Sequence, residues 1–93
     1  MIRHIVFWKF RPGTDEEAEE FFRRLSALEG VVPEIRHMEI HRAMGGGYDA
    51  ALISDFDDLA ALDRYKNDPR HKAVSALCKA IREDRASLDY VLP

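Results

Sequence analysis

The stretch Ile2-Arg3-His4-Ile5-Val6-Phe7-Trp8-Lys9-Phe10 constrains the fold more than any other part of the chain. Its β-branched and aromatic side chains suit a pleated surface, so it reads as a strand. With a period of two, Ile2, His4, Val6, Trp8 and Phe10 share one face, while Ile5 and Phe7 dominate the other. Both faces are apolar. In a small α+β domain the helices cover only one face of the sheet, so the other face needs a cover of its own. Ile5, Phe7, Ile53 and Val91 are expected on that uncovered side. The simplest cover is a second copy of the chain, its sheet packed about 10 Å away across a two-fold axis.

The remaining elements follow from periodicity and punctuation. Arg11-Pro12-Gly13 ends the first strand, and Thr14 with Glu17 predicts a capping box that opens a helix over 15–29, closed by Gly30. Ala18, Phe21, Phe22, Leu25 and Leu28 form its inward stripe. A second strand is expected over 35–43, with Met38 and Ile40 on one face and His37, Glu39 and His41 on the other. The glycines at 45–47 join it as a hairpin to a third strand over 48–56. Asp57 is expected to cap a short helix carrying Leu59, Leu62 and Tyr65. Asp68-Pro69 then opens a longer helix, since an Asp accepts from the free N–H groups of a first turn and Pro fits the first helical position. A last strand is expected over 87–92. The order β-α-β-β-α-α-β is the ferredoxin-like split βαβ plan with its second helix broken in two. We therefore expect an α+β chain with a four-stranded antiparallel sheet, one domain over residues 1–93, pairing into a dimeric α+β barrel.

Charge narrows the partners. The 14 basic and 17 acidic side chains give a net charge of -3 without any Lys/Arg block, so neither nucleic acid nor an anionic membrane surface is expected to bind. Cys78, the single cysteine, cannot form an internal disulfide and lies on an apolar helix stripe, as a small buried side chain would. No apolar run is long enough to span a membrane, and the chain opens without a signal-peptide pattern, so a cytoplasmic, reduced setting is expected. No dinucleotide fingerprint or nucleophile-base-acid triad is present, and the triple glycine lacks the lysine and helix of a phosphate loop. We expect no cofactor. His37-x-Glu39-x-His41 tempts a metal reading, but residues two apart on a strand stand ~6.6 Å apart and the outer pair ~13 Å, too far to share one ion. A solvated or subunit-facing polar strand face is the plainer reading, and no metal site is expected.

The chemistry concentrates in Tyr65-Lys66-Asn67-Asp68-Pro69-Arg70-His71. His71 falls in the first turn of the last helix, three residues before Val74, on the inward side of a stripe continued by Leu77, Cys78 and Ile81. The positive end of the helix dipole disfavours a second positive charge there, so a neutral, proton-accepting imidazole is expected, with the phenol of Tyr65 nearby. The structural alternative is a locally bonded histidine and a core tyrosine with a wet hydroxyl. His4 points to the helix side with Val6 and Trp8, where a satisfied core histidine is the better reading.

The opening Ile2 to Phe10, Glu20-Phe21-Phe22, Tyr65…Asp68-Pro69-Arg70-His71 and the closing Asp89-Tyr90 together resemble the stress-responsive A/B barrel domain family over essentially the whole chain. The resemblance implies a dimeric α+β barrel with a pocket in each subunit between sheet and helices. Most members have no established activity, and a plant branch is a cofactor-free polyketide cyclase that closes a ring by aldol chemistry with a histidine base and a tyrosine. Carried over, the base falls on His71, the tyrosine on Tyr65 and a pocket histidine on His4. The implied wall continues through Val6, Trp8, Phe22 and Leu25, then Met38, Leu52 and Val74. Two departures stand out: Ala50 replaces a strand-three histidine of the cyclase branch, and Arg82 and Arg85 replace apolar side chains near the end of the last helix. They favour a polar or carboxylate-bearing guest over a long alkyl one. The expected function is binding of a small oxygenated or carboxylate-bearing molecule, with cofactor-independent cyclase- or lyase-type acid–base chemistry. The alternative is a non-catalytic ligand-binding or stress-associated accessory protein.

Overall fold

The computed structural model describes residues 1–93. Its elements are β1 (Ile2–Phe10), α1 (Asp15–Ser26), β2 (His37–Arg42), β3 (Ala50–Phe56), α2 (Leu59–Asn67), α3 (Pro69–Ile81) and β4 (Arg82–Val91). The strands form one sheet in the order β2-β3-β1-β4, each neighbouring pair antiparallel. This is the ferredoxin-like α+β plan that the order of periodicities predicts.

The alternation along β1 decides what each side of the sheet does. Ile2, His4, Val6 and Trp8 are buried under the helices, whereas Ile5 is half-buried and Phe7 exposed. Across the register Ile5 stands between Ile53 and Leu88, and Phe7 between Ala51 and Ala86, an apolar strip facing away from the helices. Val91, expected on that side, pairs with Ile2 and so belongs to the helix face. A one-residue change of register exchanges the faces of a strand, and the sequence held nothing to fix that of β4. Leu88, 58% exposed, and Tyr90 take the place expected of Val91.

On the helix side, α1 lays Ala18, Phe21, Phe22 and Leu25 onto the sheet. Phe21 meets Trp8 edge to face at 5.1 Å, and Phe22 turns toward Phe10 at 5.7 Å with the Arg42 guanidinium 4.3 Å above its ring. Under α2, Phe56 packs against Tyr65 at 4.9 Å. No helix is long and apolar enough to cross a membrane.

Helix starts show which local signals survive the tertiary context. Asp68 caps α3 as expected, accepting from the Arg70 N–H at 2.8 Å with Pro69 in the first turn. Replacing it, as Asp68→Ala, should remove about 1 kcal/mol of stability. The midpoint in a thermal melt should then fall by roughly 4–8 °C. The capping box at Thr14 does not form: its hydroxyl donates instead to the Arg11 carbonyl at 2.7 Å. Asp58, not Asp57, caps α2, accepting from the Ala61 N–H at 2.8 Å. Asp57 is engaged elsewhere, by the two-pronged guanidinium of Arg36 at 2.9 and 2.8 Å. α1 ends at Ser26 rather than at 29, and Gly30 takes its positive φ of 83° in the turns that follow.

The largest departure from expectation is β4. It begins at Arg82, directly off the end of α3, rather than at Ser87. Residues 82–86 look unlike a strand because the inward ones are polar, and they are polar because they do not face the packed core. A shift of register between Lys9 and Phe10 turns both Arg82 and Arg85 toward the helices.

Candidate functional site

A cavity of about 220 Å³ lies between the sheet and the helices. It exists because the inner face of β4 offers nothing to fill it: opposite Trp8, Val6 and His4 stand Arg85, Ser87 and Asp89. His4, Val6 and Trp8 with Leu52 of β3 form its floor, and α1 contributes Phe21 and Leu25. Tyr65 and Lys66 enter from the end of α2. From the last helix come His71, Ser75 and Cys78, followed by Arg82, and Arg85 closes the wall from β4.

The last helix shows how the chain divides its labour. Positions 71, 75 and 78 are spaced four and three apart, one stripe of a helix, and Arg82 follows at the start of β4. Val74 and Ile81 are buried on the neighbouring stripe. Val74 is therefore outside the wall, as are two other expected lining residues. Phe22 faces Phe10 and Arg42, leaving Phe21 to the cavity. Met38 sits on the edge strand β2 opposite Ser54, two strands from β1. Ser75, Cys78, Phe21 and Lys66 line the cavity without having been anticipated, although the first two share the helical spacing of His71 and could have been read from it.

His71 is the third residue of α3, and its ring centroid lies 4.2 Å from that of Tyr65 at an interplanar angle of 43°. Its Nδ1 is 3.4 Å from the Lys66 carbonyl, a long contact in which the ring must be the donor. The proton is thus assigned to Nδ1, which leaves the Nε2 lone pair free. Burial lowers the pKa of His71 below 6.5, outweighing the Lys66 carbonyl, and the nearby His4 and Arg85 lower it further. The neutral form expected from the helix dipole is favoured, with desolvation as the leading cause.

Tyr65 is 1% exposed, and its hydroxyl is buried without a hydrogen-bond partner in the protein. Burial pushes its pKa well above the ordinary 10, so the phenol remains a proton-bearing donor, with the charge of Arg85 a weaker opposing influence. Such an unpaired buried group costs about 1–3 kcal/mol.

His4 is backed by a carboxylate. Its Nδ1 lies 2.5 Å from Asp89 Oδ1, and the Lys66 ammonium is 3.9 Å from the other oxygen of Asp89. Burial lowers the pKa of His4, and Asp89 works against it. With Nδ1–H donating to Asp89, Nε2 of His4 is an acceptor as well. Asp89 was legible only as part of a closing motif, because its meeting with His4 depends on the register of β4. Cys78 is a buried thiol whose pKa burial raises to about 11, so it is not a thiolate nucleophile.

The His37, Glu39 and His41 side chains join one another on the opposite face of the sheet. Both imidazoles reach Glu39, at 2.5 and 2.9 Å, and hold its carboxyl down at about 2. They take no part in the cavity.

The split βαβ sheet with its second helix broken in two defines a known class of fold. The Stress Responsive A/B Barrel Domain family matches residues 2–92, and the chain belongs to that family. Among curated proteins none matches. Solved structures agree on the fold. A dimeric protein of unknown function with a ferredoxin-like fold from Bacteroides fragilis NCTC 9343 is 30% identical, with a TM-score of 0.83 over 98% of this chain and 95% of that one. A dimeric ferredoxin-like protein of unknown function from Thermobifida fusca YX is 27% identical, with a TM-score of 0.88 over 98% and 90%. Hydroxynitrile lyase from Passiflora edulis is 18% identical, with a TM-score of 0.89 over 99% and 93%, a likeness of fold.

Proposed function

We propose that this chain forms a homodimer through the outer face of its sheet and that each cavity binds a small oxygenated organic molecule, on which it carries out cofactor-free proton transfer next to a carbonyl. The observation that carries this reading is the Tyr65 hydroxyl, a buried donor without a protein partner, whose ring lies 4.2 Å from a neutral imidazole at a cavity wall. A carbonyl oxygen accepting from Tyr65 would place its α-carbon near His71. Nε2 of His71 takes the α-proton, the C–H electron pair moves into the carbonyl as an enolate, and the hydrogen bond from Tyr65 stabilises the developing oxyanion. Return of a proton to carbon completes an exchange or isomerisation. Attack of the enolate carbon on a second carbonyl would instead form the new C–C bond of an aldol closure. The dimer is supported by the apolar strip of Ile5, Phe7, Ile53 and Leu88 and by the dimeric state described for the Bacteroides and Thermobifida proteins.

The test is α-deuterium incorporation into a panel of small ketones and keto acids in D₂O, followed by proton NMR with and without the protein. Acceleration for at least one compound is expected. A uniform absence across the panel would remove the catalytic reading.

A further inference from the structure

The cavity is basic in a chain that is not. Lys66, Arg82 and Arg85 stand in its wall, and no Asp or Glu does. A groove sharing Lys66, His71 and Ser75 with it continues outward to Lys72 and Lys79, again without a carboxylate or an apolar side chain. Five cations therefore line the approach and the interior of one site in a protein of net charge -3. Their pairing is equally uneven. Of the other arginines, Arg3, Arg23, Arg24, Arg36, Arg42, Arg64 and Arg70 each have a carboxylate partner, and Arg11 donates instead to the Ala80 carbonyl at 2.7 Å. Arg82 and Arg85 have none, and the one side-chain hydrogen bond from the Arg85 guanidinium is a long one, to the Ser87 hydroxyl at 3.4 Å. Lys72 and Lys79 are also without an acidic partner, and Lys66 has only Asp89 at 3.9 Å. A guanidinium fork left open at a cavity wall matches a carboxylate, which it binds with two parallel hydrogen bonds.

We infer that the guest is a small organic carboxylate, held by Arg85 and Arg82 with its carbonyl toward Tyr65 and His71, and drawn in past Lys66, Lys72 and Lys79. This rests on the reading that the cavity holds a guest, and it names the guest's class. Size bounds it further: a cavity of ~150 Å³ accepts benzene, so about 220 Å³ accommodates one six-membered ring, or a chain of similar bulk, with its carboxylate. Charge near the substrate's carbonyl also assists the chemistry, because cations beside the cavity favour the enolate over the ketone. The exposed lysines act earlier, by raising the encounter rate with an anion, an effect that salt screens.

Trp8, the only tryptophan, is in the cavity wall, so its fluorescence reports occupancy of the full-length protein. The probes are sodium benzoate, its neutral isostere benzamide, and phenyl phosphate. Benzoate is expected to bind at least about tenfold more tightly than benzamide, and Arg85→Gln to abolish most of that preference. Lys72→Gln should slow benzoate association at low salt and leave its dissociation rate unchanged, which also shows that loss of a charge does not unfold the protein. Equal affinity for benzoate and benzamide, no binding of either, or an undiminished preference in both Arg85→Gln and Arg82→Gln would overturn the inference. Phenyl phosphate binding tenfold more tightly than benzoate would reassign the site to phosphate esters. The two readings fail separately. Preferential benzoate binding without deuterium exchange on any compound removes the catalysis and leaves the carboxylate site, whereas exchange confined to neutral ketones does the reverse.

Discussion

Replacing His71 by asparagine should lower enzyme-dependent α-deuterium exchange by roughly 10²–10⁴-fold, the range that a positioned general base contributes. Asparagine is similar in size and can still donate to the Lys66 carbonyl, but it offers no lone pair of comparable basicity. Tyr65→Phe removes only the hydroxyl and should cost roughly 10²–10³-fold, as loss of one oxyanion donor does. It removes a buried group that has no partner in the protein, so the variant should be at least as stable as the parent. A variant that loses exchange while keeping or gaining thermal stability is hard to explain by damage to the fold. Benzoate binding should survive in the His71 variant, which separates the base from the anchor. If both variants retain full exchange, the proton is moved by some other group, and His4 with Asp89 behind it is the next to examine.

An aspartate on the outer face of the sheet should dissociate the proposed dimer. Ile5→Asp and Leu88→Asp each place a charge in the middle of the apolar strip without touching the cavity, since Ile5 and Leu88 point away from the helices. A charge buried without a partner costs several kcal/mol, and each 1.4 kcal/mol is tenfold in the dissociation constant. At micromolar concentration the parent should sediment as a dimer and both variants as monomers. Dimers in both variants would place the interface elsewhere. The His37–Glu39–His41 ladder and the Arg3–Asp55 pair, bonded at 2.8 and 3.0 Å, lie on the same face, so a face-to-face partner meets charges already satisfied within one subunit. Such pre-paired groups can enter an interface with less penalty than free ones.

Most of the fold was legible because few signals conflict. The alternation in Ile2–Phe10, the apolar stripe of α1 and the Asp68-Pro69 start each place an element unaided, and the structure follows them. What failed was decided by tertiary context. Asp57 has the chemistry of a cap but is held by Arg36, and the Thr14 hydroxyl finds the Arg11 carbonyl first. The sequence marks only the second half of β4, because the inward residues of its first half face a cavity and the hydrophobic alternation of a half-buried strand is missing there. That missing alternation is itself a signal of a hollow. The histidine and tyrosine of the site were legible from their segment, since the Asp68-Pro69 corner fixes where His71 falls in the helix. The carboxylate behind His4 was not, because strand register joins residues far apart in sequence. Nor was the choice of Phe21 over Phe22, which depends on the rotation of α1 about its axis.

The most direct measurement is the titration of the His71 imidazole by NMR in protein labelled with nitrogen-15. Burial favours the neutral ring, so proton uptake by His71 should have its midpoint below 6.5, and exchange activity should hold steady from neutrality down to that point before falling. Above the midpoint Nδ1 should carry the proton and Nε2 should show the shift of an unprotonated nitrogen. A neutral ring protonated on Nε2 would mean that no basic lone pair faces the cavity and would contradict the mechanism at its source, and a midpoint above 6.5 would contradict the burial that keeps the base neutral.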